Sequence, residues 1–266
     1  MKRLCFLIFF STLVLSFPAG FKRLTCGFKL AKMHFDHPFR LDWEVDPILS
    51  QDQLHAILTQ PFSYLGKGAQ CYVLQSADGR YVIKLFRYDA SLRQCPAKRE
   101  KLFTACLLAY HRAREETGVL YLHLNLTSNA LPVLHAQGPL GQSLSLPLDL
   151  YRFAIQKKAS PFRAALLAAQ ASQDPTALPQ LIDSFVDVVY ARLAKGIGNS
   201  DPTVSRNFGF FEGKALEIDF GNYFAHPAPH LEELHRYTRR LRRWLQHHAP
   251  EHTLYLDQKV AECESF

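Results

Sequence analysis

The chain has 266 residues, of which 48% are hydrophobic and 21% charged, so it is long enough to enclose a substantial core and is not predominantly disordered. Lysine and arginine outnumber aspartate and glutamate by 31 to 24, a formal net charge of +7. This excess suits nucleotides, phosphates or anionic lipid, and it is too small to indicate a nucleic-acid-binding protein. The six cysteines form no CxxC pair, so no structural zinc site is expected.

The first residues have the pattern of a targeting segment. Lys2 and Arg3 precede an apolar run over Leu4–Phe17, which ends at Pro18. The run is shorter than the roughly 20 residues of a bilayer-spanning helix and is typical of a signal-peptide core. We therefore interpret residues 1–33 as a signal- or anchor-like segment with a basic linker, which suggests export or membrane association. A buried N-terminal helix and a misassigned start codon are the alternatives.

A helix and a β-hairpin are predicted next. Ser50 and Gln53 have the spacing of a capping box, which places the start of a helix after Ser50. Two β-rich runs then flank the turn Ala77-Asp78-Gly79-Arg80, as in a hairpin. The glycine pair Gly66-x-Gly68 precedes this hairpin, where the lack of a Cβ would let a polyphosphate approach the backbone. Val73, on the following strand, would point toward an adenine ring.

Lys84 follows the apolar residues Tyr81-Val82-Ile83, where a cation is costly unless it has an anionic partner. With the glycine pair, it resembles the glycine-rich loop and third-strand lysine of the protein-kinase-like fold. The resemblance implies that Lys84 contacts nucleotide phosphates and that Glu100, in a helix from about Pro96 to Glu116, orients Lys84. The alternative for Glu100 is a surface partner of a neighbouring base. Gln156-Lys157-Lys158 would be the hinge between two lobes, with Gln156 and Lys158 contacting adenine through their backbone.

The second half contains two predicted helices and a second hairpin. The helices are Pro161–Ser172 and Leu178–Lys195, and the strands are Phe208–Phe211 and Ala215–Ile218 around a Glu212-Gly213 turn. Asn207 begins the first strand and Asp219 ends the second, so the hairpin would bring their side chains together. An amide oxygen and a carboxylate placed in this way suit a Mg²⁺ ion that bridges nucleotide phosphates.

The sequence Asp219-Phe220-Gly221 resembles the metal-binding motif of kinases, which implies Asn207 and Asp219 as metal ligands and Asp201 as the catalytic base. Asn199 and Ser200 are interpreted as bystanders in the same loop. The chain departs from the family pattern because no His-Arg or His-Gly precedes Asp201, and Asn207 follows it by six residues instead of five. No Ala-Pro-Glu follows Gly221, so the implied C-lobe is minimal, as in atypical kinases and in sugar, lipopolysaccharide and aminoglycoside phosphotransferases.

A basic amphipathic helix is predicted after about Pro229. Its apolar stripe includes Leu234, Tyr237, Leu241 and Trp244, and its remaining surface is crowded with arginines at positions 236, 239, 240, 242 and 243. One interpretation is a helix that caps the domain with a solvated basic face. The other is a contact with an anionic membrane or glycolipid.

We therefore predict an α+β, bilobal protein-kinase-like fold with a β-rich N-lobe over residues 34–158 and a short, mostly helical C-lobe over residues 159–266. The implied function is ATP- and Mg²⁺-dependent transfer of a phosphoryl group to an unidentified small-molecule, glycolipid or protein hydroxyl. ATP use favours the cytoplasmic face and the N-terminal segment favours export. One alternative is a catalytically inactive kinase-like binding module. Another is an unrelated, membrane-associated α+β protein in which the motifs are accidental, and Lys84 and Asp219 would then lie too far apart to share a phosphate site.

Overall fold

The computed structural model describes residue 25 and residues 27–35, 37–88, 95–226 and 231–264. The predicted targeting run over residues 4–17 lies outside this part of the chain. The fold is a mixture of helices and strands that includes one large sheet. Within the described ranges, no helix combines the length and the apolar character that a membrane crossing needs.

Seven strands form the large sheet: β1 (Phe62–Lys67), β2 (Cys71–Ser76), β3 (Tyr81–Phe86), β4 (Val119–His123), β5 (Val133–Gln137), β6 (Ser143–Pro147) and β7 (Phe153–Lys157). Their spatial order is β4-β7-β3-β2-β1-β5-β6, and β1 pairs with β5 in parallel while the other neighbours are antiparallel. Five short strands follow: β8 (Ser160–Pro161), β9 (Ile197–Asn199), β10 (Phe208–Phe211), β11 (Lys214–Glu217) and β12 (Tyr223–Ala225). They form a β11-β10-β8 sheet and a β12-β9 pair.

Both predicted hairpins are confirmed, and side-chain hydrogen bonds explain the first turn. Between β2 and β3, the Asp78 carboxylate accepts hydrogen bonds from the Ser76 hydroxyl at 2.6 Å and from the Arg80 amide at 2.9 Å. Between β10 and β11, Glu212 and Gly213 both have positive φ, 50° and 79°, the conformation that suits the right-handed twist of a tight hairpin. Local sequence therefore determines both turns.

The described helices are α1 (Gln51–Leu58), α2 (Pro96–Arg112), α3 (Arg114–Thr117), α4 (Phe162–Gln170), α5 (Ala177–Ala194), α6 (Val204–Asn207), α7 (Leu231–His248) and α8 (Thr253–Glu264). Short 3-10 turns cover Leu30–Lys32, Leu41–Trp43, Leu148–Leu150 and Pro250–His252. The predicted capping box begins α1, because the Gln53 amide donates to Ser50 Oγ at 3.2 Å and the Ser50 amide donates to Gln53 Oε1 at 2.9 Å.

Helix α2 packs against the sheet and ends at Arg112, before the predicted end at Glu116. Its buried face includes Leu102, Phe103 and Cys106, which share a core with Phe86 of β3. Ala113 leaves the helical conformation at φ −132° and ψ 36°, and α3 then forms a separate turn that ends at Gly118, with φ 67°. The predicted single helix is therefore two helices with a break at Ala113.

Another core lies in the C-terminal half and is largely helical. Phe208 of β10 packs its ring between Phe185 of α5 and Tyr237 of α7, with centroid distances of 5.1 and 5.4 Å. The predicted amphipathic helix is confirmed as α7, which buries Leu241 in the same core. Helix α8 was not predicted, and its buried side chains Leu256, Val260 and Cys263 complete this core.

The buried imidazole of His123 makes the stability of the fold depend on pH. Its Nδ1 lies 2.8 Å from the Tyr151 carbonyl oxygen, and its Nε2 lies 3.1 Å from Thr127 Oγ1. Burial lowers the pKa of His123 below its usual 6.5, so the unfolded chain binds more protons than the folded chain as the pH falls through 6.5. The free energy of unfolding therefore decreases as the pH is lowered through that window.

We expect His123→Gln to remove this contribution, which is at most about 1.4 kcal/mol per pH unit. Urea unfolding of both proteins at about pH 7.5 and about pH 5.5 measures the difference in slope. Equal losses of stability in the wild type and the variant between these pH values would contradict the assignment.

Candidate functional site

A cavity of about 280 Å³ lies between the large sheet and the residues that follow β11. Its wall contains seven of the ten predicted site residues: Gly66, Gly68, Val73, Lys84, Gln156, Lys158 and Asp219. These residues come from the β1–β2 turn, β2, β3, the end of β7 and the Asp-Phe-Gly segment. The fold therefore brings sequence motifs from both halves of the chain to one concave surface.

The two glycines leave open space on the cavity wall. Neither has a positive φ, so the backbone conformation itself does not require glycine. A Cβ added to Gly66 would meet no heavy atom of the described residues within 4 Å, and one added to Gly68 would meet only Cys71 Sγ, at 3.7 Å. The turn is held by the Gly68 amide, which donates to the Cys71 carbonyl at 2.9 Å. The missing side chains thus leave room for a ligand to approach the backbone.

Lys84 connects the sheet to the Asp-Phe-Gly segment. Its Nζ donates a hydrogen bond to the carbonyl oxygen of Ile218 and lies 5.0 Å from the ring centroid of Phe220. Ile218 immediately precedes Asp219, and both Lys84 and Asp219 line the cavity. The alternative in which the motifs are unrelated predicted that Lys84 and Asp219 lie far apart, and that prediction is wrong.

Glu100 does not contact Lys84. Its carboxylate accepts a hydrogen bond from Arg40 Nη1 at 2.5 Å, and its side chain is 55% exposed. The apolar residues of α2 turn the opposite face of this helix toward the core, so Glu100 is held at the surface. The prediction that Glu100 orients Lys84 is therefore wrong. Within the described ranges, no carboxylate forms an ion pair with Lys84.

Two backbone amides of the predicted hinge already have protein partners. The Lys157 amide donates to the Gly118 carbonyl at 2.9 Å, and the Lys158 amide donates to the Arg80 carbonyl at 2.8 Å. The Lys158 N–H group is therefore already used within the fold, and the backbone contact of Gln156 and Lys158 with adenine stays a prediction. Ala159, the next residue on the cavity wall, has an amide that bonds no backbone carbonyl in the described part of the chain. Its N–H is the hinge donor that a ligand could use, and no sequence signal pointed to it.

Gln156 presents a buried acceptor with no protein partner. Its side chain is fully buried, and Nε2 donates to the Thr117 carbonyl at 2.5 Å and to the Ile218 carbonyl at 3.4 Å. No donor among the described residues reaches Oε1. An unsatisfied buried acceptor costs about 1–3 kcal/mol, so a ligand donor at this point would be stabilising. Gln156 therefore belongs to the site through its side chain, which the predicted backbone role did not include.

Asp201 and Asn207 lie outside the cavity wall. Hydrogen bonds link Asp201 to Asn207 and Asn207 to Asp219. Asn207 Nδ2 donates to the Asp201 carbonyl at 3.1 Å, and the Asn207 carbonyl accepts from the Asp219 amide at 3.3 Å. This arrangement uses the nitrogen of the Asn207 side-chain amide, and no hydrogen bond from the described residues occupies its oxygen. The predicted contact was between the side chains of Asn207 and Asp219. The structure shows a bond between their backbones, with only Asp219 on the cavity wall, so the shared metal site stays a prediction.

The Asp201 carboxylate is held in its ionised form. Burial acts to raise the pKa of Asp201, but hydrogen bonds from Thr203 and Asn207 outweigh it and hold the pKa below the usual 3.8. One of these is donated by the Thr203 backbone amide to Asp201 Oδ1 at 3.0 Å. At neutral pH this side chain is therefore ionised and can accept a proton, although its basicity is below that of a free aspartate.

Asn199 was interpreted as a bystander, and this interpretation is wrong. Its side chain is fully buried at the end of β9. Nδ2 donates to Glu217 Oε1 at 2.8 Å and to the Asp219 carbonyl at 3.3 Å, while Oδ1 accepts from the Asp201 amide at 2.9 Å. One amide side chain thus fixes the Asp201 loop relative to Asp219.

A buried ion network anchors Asn199. Arg192 donates from Nε to Glu217 Oε2 and from Nη2 to Glu233 Oε1, both at 2.6 Å. The Tyr223 hydroxyl donates to Glu217 Oε2 at 2.8 Å, and the backbone amide of Asn199 donates to Glu233 Oε1 at 3.1 Å. Burial raises the pKa of Glu217, and the Arg192 guanidinium with the Asn199 and Tyr223 donors opposes this effect. A glutamate within the apolar strand β11 was the available sequence signal for this network.

The arginines of α7 have different partners. Arg242 pairs with Asp257 of α8 at 2.7 Å, and Arg236 donates to the Asn199 carbonyl at 3.1 Å. Three exposed arginines form no ion pair within the described ranges: Arg239, Arg240 and Arg243. Contact of this helix with an anionic membrane or glycolipid stays a prediction.

No protein-family model matches the chain, and no curated protein is significantly similar to it. The resemblance to kinases therefore depends on motifs between about residues 60 and 225 of this sequence. Function has to be inferred from the chemistry of the cavity and of the loops bonded to it.

Proposed function

We propose that this chain is an ATP- and Mg²⁺-dependent phosphotransferase with a bilobal protein-kinase-like fold, acting on an acceptor hydroxyl. The observation that carries the proposal is the single cavity whose wall includes Gly66, Gly68, Lys84 and Asp219. Glycine hairpins and Asp-Phe-Gly turns are each common. If they were unrelated, nothing would place them at the same cavity. Their meeting at one cavity, with a lysine between them, favours a nucleotide site.

The distribution of strands and helices along the chain favours the proposed two lobes, with the cavity at their boundary. The seven strands of the large sheet all precede Lys158, and five of the eight described helices follow it. The β-rich part over residues 34–158 would hold the nucleotide from the sheet side. The mostly helical part over residues 159–266 would supply Asp201, Asn207 and Asp219.

The cavity wall fits the two ends of ATP. Val73 supplies an apolar surface, the Ala159 amide a free donor and Gln156 Oε1 a buried acceptor, which together suit the edges and face of an adenine ring. The Gly66–Gly68 turn provides close backbone approach, and Lys84 provides the positive charge that phosphate groups require. Lys84 would then exchange its carbonyl contact for a phosphate oxygen.

Asp219 and Asn207 are the residues that would hold Mg²⁺. A carboxylate and an amide oxygen are hard oxygen donors of the kind that Mg²⁺ prefers in nucleotide sites. The bound ion would neutralise charge on the phosphate oxygens during transfer. The chain's own contribution is to hold these donors in register, through Asn199 and through the backbone bond between Asn207 and Asp219.

Asp201 would accept the proton of the acceptor hydroxyl. Its carboxylate is ionised at neutral pH, and Asn199 and Asn207 both bond to its backbone. In this fold class catalysis depends mostly on positioning and charge stabilisation, so a fixed carboxylate is sufficient.

A catalytically inactive binding module is the second candidate. Two features favour it: no carboxylate among the described residues pairs with Lys84, and no histidine stands before Asp201 in the loop. Such a module would bind nucleotide weakly or without Mg²⁺ and would exert its function through a partner. Both candidate functions use the same cavity, but the binding module would not turn over ATP.

Thermal unfolding of the full-length chain with ATP tests the nucleotide site. At 100 times the dissociation constant, Mg-ATP adds about 2.7 kcal/mol, a rise in Tm of roughly 5–10 °C. We expect Lys84→Met to lose most of this rise, because it removes the cation from the phosphate end. Lys101→Met, an exposed position on α2, is the matched control and is expected to keep it. No rise in the wild type, with or without Mg²⁺, would contradict the proposal.

A further inference from the structure

A second concave surface lies on the C-terminal half, between α4, α6 and α7, with a volume of about 160 Å³. We name it the arginine pocket and define it by six of its lining residues: Phe162, Arg163, Leu166, Ser205, Arg240 and Trp244. Phe162, Leu166 and Trp244 are buried and form its apolar floor, while the two arginines and the serine are exposed at its rim. It has the composition of a small-molecule site, with an apolar base and a few polar groups.

The arginine pocket carries uncompensated positive charge. Arg163 and Arg240 form no ion pair within the described ranges, and no carboxylate lines the pocket. The groove between α7 and α8 is different, because its Arg242 is paired with Asp257 at 2.7 Å. Two unpaired guanidinium groups that face one concave surface favour a phosphate or carboxylate ligand.

The arginine pocket is close to the proposed catalytic base. Tyr237 of α7 donates its hydroxyl to the Asp201 carbonyl at 2.9 Å, and Arg240 lies three residues further on, about 4.5 Å along the helix axis. Helix α6 also begins three residues after Asp201. Ser205 of this helix lines the arginine pocket, and the adjacent Arg206 lines the nucleotide cavity. One helical turn therefore separates the two cavities.

We infer that the arginine pocket is the acceptor site and that the acceptor is a small hydroxyl-bearing organic phosphate or carboxylate. Arg163 and Arg240 would bind its anionic group, and Trp244 would contact its apolar or ring portion. This inference rests on the proposed phosphotransferase function. In the transfer, the acceptor oxygen bonds to the γ-phosphorus of ATP, ADP leaves with the electron pair of the broken P–O bond, and the hydroxyl proton passes to Asp201.

Tryptophan fluorescence tests the pocket without knowledge of the natural acceptor. The chain has two tryptophans, so Trp43→Phe in the full-length protein leaves Trp244 as the sole reporter. Phenyl phosphate, which combines an aromatic ring with an anion, is the probe. We expect a saturable change in Trp244 emission, with an affinity at least tenfold lower in Arg163→Gln/Arg240→Gln. Calorimetric titration of the protein that retains Trp43 gives the same comparison without the reporter substitution.

The matched control is Arg239→Gln/Arg243→Gln. It also removes two positive charges, both from positions of α7 outside the pocket, and it is expected to bind phenyl phosphate as the wild type does. The response is also expected to persist in saturating Mg-ADP. Three results would overturn the inference: equal loss in the control, displacement of phenyl phosphate by Mg-ADP, or a response to anionic vesicles alone. If phenyl phosphate binds as expected but Mg-ATP gives no thermal shift, the anion site stands and the phosphotransferase proposal fails.

Discussion

Asp219→Asn is expected to lower Mg²⁺-dependent ATP turnover by about 10²–10³-fold, the loss typical of a charge-stabilising group in an active site. The substitution removes the negative charge that would hold the metal, and it keeps the shape of the side chain and an oxygen for the Gly221 amide, which lies 3.4 Å from Asp219 Oδ1. The fold is therefore expected to survive. Release of γ-phosphate by the full-length chain measures turnover, and circular dichroism checks the fold.

Asp52→Asn is the matched control, because Asp52 is an exposed aspartate in the first turn of α1, on the surface and outside the cavity wall. It is expected to leave turnover unchanged. Wild-type turnover in Asp219→Asn would rule out Asp219 as the metal ligand. Mg²⁺-independent ATP binding without turnover in the wild type would favour the inactive binding module.

Arg192→Met is expected to destabilise the protein by about 3–5 kcal/mol, because it leaves the carboxylates of Glu217 and Glu233 buried without their cation. Arg192 and Glu217 are fully buried, so water cannot replace the lost charge. For a chain of this size the loss corresponds to a fall in Tm of roughly 10 °C. Differential scanning calorimetry of the full-length chain measures it.

Arg242→Met tests whether this cost comes from burial. The Arg242–Asp257 pair is exposed, with side chains 46% and 41% accessible, so its loss is expected to cost less than about 1 kcal/mol. Adding Glu217→Gln to Arg192→Met is expected to recover part of the stability, because it removes one uncompensated charge. Equal losses of stability in Arg192→Met and Arg242→Met would show that the buried network contributes no more than a surface pair.

The features that the sequence predicted well depend on short-range chemistry. The Ser50–Gln53 capping box, the Asp78 turn and the Glu212-Gly213 turn each involve residues at most five apart, and the structure has all three. The apolar stripe of α7 is likewise a periodic signal within one segment. Such features are fixed by neighbours along the chain, so no knowledge of the tertiary fold is needed.

The features that the sequence missed depend on contacts between distant segments. Glu100 has the helix position expected of a lysine partner, yet Arg40, sixty residues earlier, binds it at the surface. The β1–β5 parallel pairing and the order of the large sheet have no local signature. Helix α8 has only three buried residues, and Leu254 at its start is 67% exposed, so its periodicity is weak.

The candidate site shows the same division. Gly66, Lys84 and Asp219 were found because each lies in a short motif with a chemical reason for its residue type. Asn199 was missed because its role depends on Arg192 and on two glutamates that reach it from β11 and α7. A buried polar network of this kind becomes visible only when the strands and helices that carry it are assembled.

The most direct test of the central claim is a crystal structure of the full-length chain with Mg²⁺ and a non-hydrolysable ATP analogue. We expect the triphosphate between the Gly66–Gly68 turn and Lys84, the metal on Asp219 and Asn207, and the adenine ring against Val73 and the Ala159 amide. A nucleotide bound elsewhere, or an empty cavity at saturating nucleotide, would contradict the assignment of this cavity as the ATP site.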